Sequence, residues 1–206
     1  VITVSKPIAD YYKTLGTKSF VIPNYPTRFE LSGAKFSEKV KPLTTIYLGN
    51  TFDNTVTYRD GTGLIEFYDN SKRSIRCIGK STSDHPSFTG PVSHMELFTE
   101  MSKYHVGIIP WRKHLFHPYC CPNKAYSYAH CGLVVVVTPY LREVINSFKG
   151  RCRVMDTYDD LENILAELEN DMDSTVAEGL ENKEFATKNF ILENYKDVIE
   201  EAYRNA

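Results

Sequence analysis

The chain has 206 residues, enough for one large domain or two small ones with a substantial buried core. Its 42% hydrophobic, 24% charged and 13% aromatic residues are ordinary for a soluble globular protein. A net charge of -2 excludes the strong basic excess of a general nucleic-acid binder, and no run of about 18 apolar residues is present to cross a bilayer.

Strand-like and helix-like segments alternate along the chain. Val1 to Ser5 reads as a strand, Lys6 to Leu15 as a helix stopped at Gly16, and Ser19 to Ile22 as a second short strand. The chain opens without Met and already inside a strand-like pattern, so it is expected to be a fragment whose upstream part could hold a targeting segment. Residues 25 to 42, with Pro, Ser, Gly and Lys and no clear period, read as a linker. A second series follows. Thr44 to Leu48 is a strand ending at Gly49, Leu64 to Tyr68 sits in a helix, Ser74 to Ile78 is a strand, and Ser87 to Thr89 is a short strand before Gly90. Ser93 with Glu96 forms a capping box that opens a helix to about Ser102, and Val106 to Ile109 is a buried strand closed by Pro110.

Pro122 to Gly132 then reads as a helix, because proline fits the first turn and glycine the left-handed residue past the end. The run Leu133 to Val137 is too short for a membrane and too uniformly apolar for a half-exposed strand, so it belongs in a parallel sheet. Leu141 to Phe148 is a helix, Arg153 to Met155 a strand, and Asp159 is the expected cap of a helix to about Met172. The last thirty residues are helical, with an apolar stripe of Phe185, Phe190, Leu192, Tyr195, Val198, Ile199 and Tyr203. This alternation predicts an α/β chain, a Rossmann-like parallel sheet flanked by helices.

The five cysteines, Cys77, Cys120, Cys121, Cys131 and Cys152, are odd in number and lack a disulfide framework. They point to a reducing cytoplasm, with Cys77 and Cys152 as small buried hydrophobes. His114, His117, Cys120 and Cys121 offer zinc-ligand types, but H-x-x-H-x-x-C-C matches no standard zinc spacing, and no metal is expected. Asp171-Met172-Asp173 lies at the end of an acidic helix and reads as a solvated terminus. His85 and His94 read as surface residues.

From Thr44 onward the residues resemble the nucleotide-sugar-binding domain of GT-B glycosyltransferases, most closely the family-4 type. Ile46-Tyr47-Leu48-Gly49 is similar to the strand that opens that domain, and Phe88-Thr89-Gly90-Pro91-Val92 with Glu96-Leu97 to its "F-x-G-x-V … E-L" stretch. Val106-Gly107-Ile108-Ile109-Pro110 resembles "D-V-x-I-x-P", and Pro122-Asn123-Lys124 through Val135 resembles "P-x-K-x-x-E-Y-x-A-x-G-x-P-V-V". Val1 to Ser5 and Val21 to Asn24 resemble the family's passage out of its N-terminal domain. The family's ribose-holding Glu falls at Ser127 and its second Glu at Tyr119, and Arg59-Asp60-Gly61 is the nearest counterpart of its pyrophosphate cations.

The resemblance implies the C-terminal domain of a GT-B fold. Residues 1–42 would be the crossover from a missing N-terminal domain plus linker, 43–172 the donor-binding domain, and 173–206 C-terminal helices packing back on it or toward the missing half. It implies the donor-binding half of a sugar transferase, with retention of configuration and neither a cofactor nor a metal. The ligand would be a nucleotide-diphosphate-sugar, and the acceptor a glycan or lipid-linked sugar held by the missing domain. No nucleic acid is expected, and the cytoplasmic membrane surface would be reached, if at all, through the missing half. A non-catalytic nucleotide-binding or assembly module and a GT-B-like nucleotide-sugar epimerase are the alternatives. A leaving diphosphate needs cations and free N–H groups, which a helix N-terminus supplies. The candidate donor-binding residues are therefore Asn123, Lys124 and Ser127 on the helix, Arg112 and Lys113 after Pro110, Arg59, and Gly90 and Val92 beside the base.

Overall fold

The computed structural model describes residues 1–49, 57–81 and 83–205. It begins with a small unit in which β1 (Ile2–Thr3), α1 (Lys6–Thr14) and β2 (Phe20–Val21) form a parallel pair with its crossover helix. The segment 25–42 is not structureless. It contains α2 (Arg28–Ser32), where Thr27 accepts from the Glu30 N–H and Glu30 reaches back to the Thr27 N–H at 2.6 Å. A five-residue helix leaves no periodic trace in sequence, so only its capping box could have revealed it.

The main body is a parallel sheet in the order β4-β3-β5-β6-β7. Its elements in chain order are β3 (Thr45–Leu48), α3 (Gly61–Ser71), β4 (Ile75–Ile78), α4 (His94–Met101), β5 (Val106–Ile109), α5 (Asn123–His130), β6 (Val134–Val137), α6 (Arg142–Phe148), β7 (Cys152–Val154) and α7 (Tyr158–Asn170). The long α8 (Met172–Asn189) and the terminal α9 (Lys196–Arg204) follow.

Strand side chains alternate between two cores, as period two requires. Ile46, Leu48, Ile109, Val135 and Val137 enter one core, shared with α4, α5 and α6. Tyr47, Val106, Ile108, Val134 and Val136 enter the other, shared with α3 and α7. Both faces of β6 are therefore buried, which explains its unbroken valine run.

Three details differ from the sequence reading. Ser87 to Thr89 makes only one bridge, Phe88 to Cys77, although Cys77 N–H donates to Ser87 and Thr89 N–H to Cys77 along that edge. Thr157, not Asp159, caps α7, in a reciprocal box with Asp160. Tyr203 is exposed and stands off the C-terminal apolar stripe.

The end of α5 is set by close backbone approach. Gly132 has φ +72, and its carbonyl lies against Gly179 of α8, where a β-carbon would overlap it. Asn182 Nδ2 on α8 donates to Leu133 O at 3.1 Å, and His130 Nε2 meets Phe190 O at 2.8 Å. Helix α8 thus clamps the C-terminus of α5 and fixes where its N-terminus points. Gly179→Val is expected to lower unfolding stability by about 2 kcal/mol or more, read as a reduced urea midpoint at unchanged slope.

Candidate functional site

Between the carboxyl ends of β3 and β5 the order of connection reverses, the place where open parallel sheets bind ligands. The N-terminus of α5 is aimed at this point. Pro122 occupies its cap position with φ -64 and makes no side-chain cap, and among the described residues no side chain bonds the first-turn N–H groups. Two α5 residues one turn apart tie the helix to the end of β3. Tyr128 Oη accepts from the Leu48 N–H at 2.7 Å, and Lys124 Nζ donates to the Leu48 carbonyl.

Lys124 is the unusual member. It is buried, with 9% of its surface exposed, and among the described residues no carboxylate is one of its partners. Its Nζ lies 3.3 Å from Tyr47 Oη, 4.4 Å from the Tyr47 ring centre and 5.5 Å from the Trp111 ring centre. Burial, then the nearby charge of Arg59, push its ammonium down to about 7. Arg59 approaches the same aromatic group, 5.8 Å from the Trp111 ring and 6.0 Å from the Tyr58 ring. Gly49, at φ +142, leaves the space that Lys124 needs, because a β-carbon there would stand 2.5 Å from Nζ.

A cleft of about 250 Å³ opens in front of Lys124. Its walls are Leu48 and Gly49 from β3, Ile78 and Gly79 from β4, Pro91, Val92 and Leu97, and Asn123, Lys124 and Ser127 from α5. The structure therefore brings four of the candidates together: Val92, Asn123, Lys124 and Ser127. Gly90 stands just behind the wall, at φ +72, its carbonyl accepting from Gly79 N–H at 3.3 Å. Ser127 Oγ donates to Asn123 O at 3.3 Å within the helix. Among the described residues, none that lines this cleft is acidic.

Arg112 and Lys113 lie elsewhere, on a smaller cleft of about 130 Å³ at the ends of β5 and β6. Arg112 is held in an ion pair with Asp60 at 2.5 Å, and its N–H donates to Tyr58 O at 2.7 Å. Asp60 also takes a hydrogen bond from Tyr158 Oη at 3.0 Å and caps α3. Arg112 thereby staples the loop after β5 to the start of α3, which positions Arg59.

The His114–Cys121 segment does not assemble a metal site, and among the described residues no group of three or more His, Cys, Asp or Glu is arranged to hold one. His117 is buried against Trp111 and Tyr58, with ring centres 5.1 and 5.0 Å apart, and burial lowers its basicity. Cys121 Sγ instead meets Tyr126 Oη at 2.8 Å. His85 and His94 pair with Asp69 and Glu30, outside the cleft. Sequence reasoning missed Tyr47 and Trp111, which line the lysine's nest. The single tryptophan of the chain, directly after the proline that ends β5, was the available signal.

No family model matches the sequence, and no curated protein matches it. Solved structures do match in shape. Sucrose-phosphate synthase from Thermosynechococcus elongatus superposes with a TM-score of 0.73 at 15% identity, covering 100% of this chain and 57% of that one. Anabaena Alr3699/HepE in complex with UDP-glucose gives 0.71 at 12% identity, covering 100% and 64%. WaaG, a glycosyltransferase involved in lipopolysaccharide biosynthesis, gives 0.63 at 14% identity, covering 96% and 62%. The fold is that of a GT-B C-terminal domain. This GT-B domain spans less than two thirds of the length of each of these neighbours.

Proposed function

We propose that the chain is the donor-binding half of a glycosyltransferase, taking a nucleotide-diphosphate-sugar in the cleft before Lys124. One observation carries this reading. Two cations, Lys124 and Arg59, converge on Trp111 at the switch point of the sheet, and among the described residues the cleft lining offers Lys124 no acidic counter-ion. A diphosphate supplies the missing negative charge, and the uncapped N-terminus of α5 adds N–H donors and a favourable dipole. The apolar wall of Ile78, Pro91, Val92 and Leu97 suits the flat face of a base. Asn123 and Ser127 supply polar groups for a ribose. Structural neighbours solved with UDP and UDP-glucose support the same ligand class.

In this reading the leaving diphosphate is stabilised by side-chain cations and helix N–H groups, with no metal or cofactor required. The acceptor is a glycan or lipid-linked sugar held by a partner domain, and transfer proceeds with retention. Ser127 and Tyr119, standing where the resembled family carries its two Glu, also favour a second reading, a nucleotide-binding module that does not transfer sugar. Calorimetric titration with UDP, GDP and ADP tests the site. Binding of at least one at micromolar to millimolar concentration is expected, and silence from all three overturns it. Product analysis with the acceptor domain present separates transfer from binding alone.

A further inference from the structure

The smaller cleft at the carboxyl ends of β5, β6 and β7, where Arg112 and Lys113 lie, is a pocket in its own right of about 130 Å³. Among the described residues its lining shares no member with the donor cleft. Trp111 stands between the two, lining this pocket while its ring centre lies 5.5 Å from Lys124 Nζ. The volume is well below the ~300–1,000 Å³ of an ordinary ligand pocket, so it admits one small ring.

The lining selects the chemistry of that ring. Asp60 and Asp156 stand against Arg112 and Lys113, so among the described residues the pocket carries no net charge. Asp60 is fully engaged by Arg112 at 2.5 Å, Tyr158 Oη at 3.0 Å and the Gly63 N–H at 3.3 Å. Asp156 is exposed and accepts from Tyr140 Oη at 3.0 Å through one oxygen, which leaves its carboxylate room for further donors. Thr138 Oγ1 gives its hydrogen to the Trp111 carbonyl at 2.6 Å and keeps its lone pairs for accepting. Lys113, also exposed, is a donor only. Acceptors and donors thus meet beside the apolar surfaces of Trp111 and Met155. A hydroxyl both donates and accepts, so a neutral polyhydroxyl ring satisfies such a lining, whereas a phosphate would meet Asp156 as a like charge.

We propose that this pocket is a sugar site separate from the donor cleft, holding one uncharged hexose unit of the acceptor, with Asp156, Tyr140 and Thr138 accepting from its hydroxyls and Lys113 donating to them. That the pocket takes a sugar stands on its lining alone. That the sugar belongs to the acceptor rests on the donor reading, because Trp111 puts the pocket beside the cations Lys124 and Arg59.

Saturation-transfer NMR of the chain with the methyl glycosides of glucose, galactose, mannose and N-acetylglucosamine tests it. At least one glycoside is expected to bind, and saturating UDP should leave it in place. Binding should weaken about tenfold in Asp156→Ala and about threefold in Tyr140→Phe, with urea midpoint and UDP affinity unchanged. Silence from all the glycosides, equal binding by Asp156→Ala, or binding of glucose 6-phosphate alone overturns the proposal. So does displacement by UDP, which would put the sugar in the donor cleft. Glycoside binding by a chain that ignores UDP, GDP and ADP supports the sugar site and overturns the donor reading, and with it the acceptor role.

Discussion

Replacing Lys124 by methionine is expected to weaken UDP binding about 100-fold while making the ligand-free chain more stable. The two effects share one cause. Lys124 is buried against Tyr47 and Trp111 with, among the described residues, only a carbonyl and a phenol as hydrogen-bond partners, and Arg59 repels it. Its basicity falls from 10.5 to about 7, which corresponds to roughly 4 kcal/mol of destabilisation at pH 7. For a base held below its ordinary value, this penalty is complete below about pH 7 and is relieved as pH rises toward 10.5. Methionine keeps the length and apolar stem, removes the charge, and so recovers about 1–3 kcal/mol of that penalty. Binding loses a charge-assisted contact in a desolvated site, for which about 100-fold is ordinary. Calorimetry and a urea titration of the same sample read both. A UDP Kd within threefold of the parent chain would place the phosphates away from Lys124. A lower urea midpoint would show that the lysine supports the fold.

Much of the fold was legible because its signals are local. The valine run of β6, the Ser93–Glu96 box and Gly132 each announce an element within a few residues of themselves. Helix α2 was hidden because five residues carry no period, and the cap of α7 was misplaced because Thr157, Asp159 and Asp160 are all good capping types within one turn. The site divides in the same way. Lys124 was readable from its place behind Pro122, but the nest that holds it joins residues far apart in the chain, Tyr47, Trp111 and Lys124. Arg112 looked like a phosphate ligand from its place after β5. Its partner, Asp60, lies 52 positions earlier and sits at φ +40 at the head of α3, which no local pattern reveals.

UDP binding at pH 8 is expected to take up close to one proton per site. At that pH most of the free chain carries Lys124 neutral, because its ammonium titrates at about 7. A diphosphate beside it favours the charged form, so the complex holds more protons than the free partners. The sign follows directly. Affinity falls as pH climbs from 7 toward 9, by up to about tenfold per unit, and proton uptake fades below pH 7, where Lys124 is already charged. His117, held neutral by burial, is silent at pH 8. Lys39, lowered to about 8, titrates in the same window, but it donates to the Gly132 carbonyl at the far end of α5 and does not line the cleft. Titrations in Tris and in HEPES, whose ionisation enthalpies differ, give the proton count from the difference in observed heat. Zero uptake at pH 8, or the same uptake in Lys124→Met, would detach the titrating group from the ligand. An uptake near one that disappears in the variant would mean that the fold keeps its cation discharged until the diphosphate arrives.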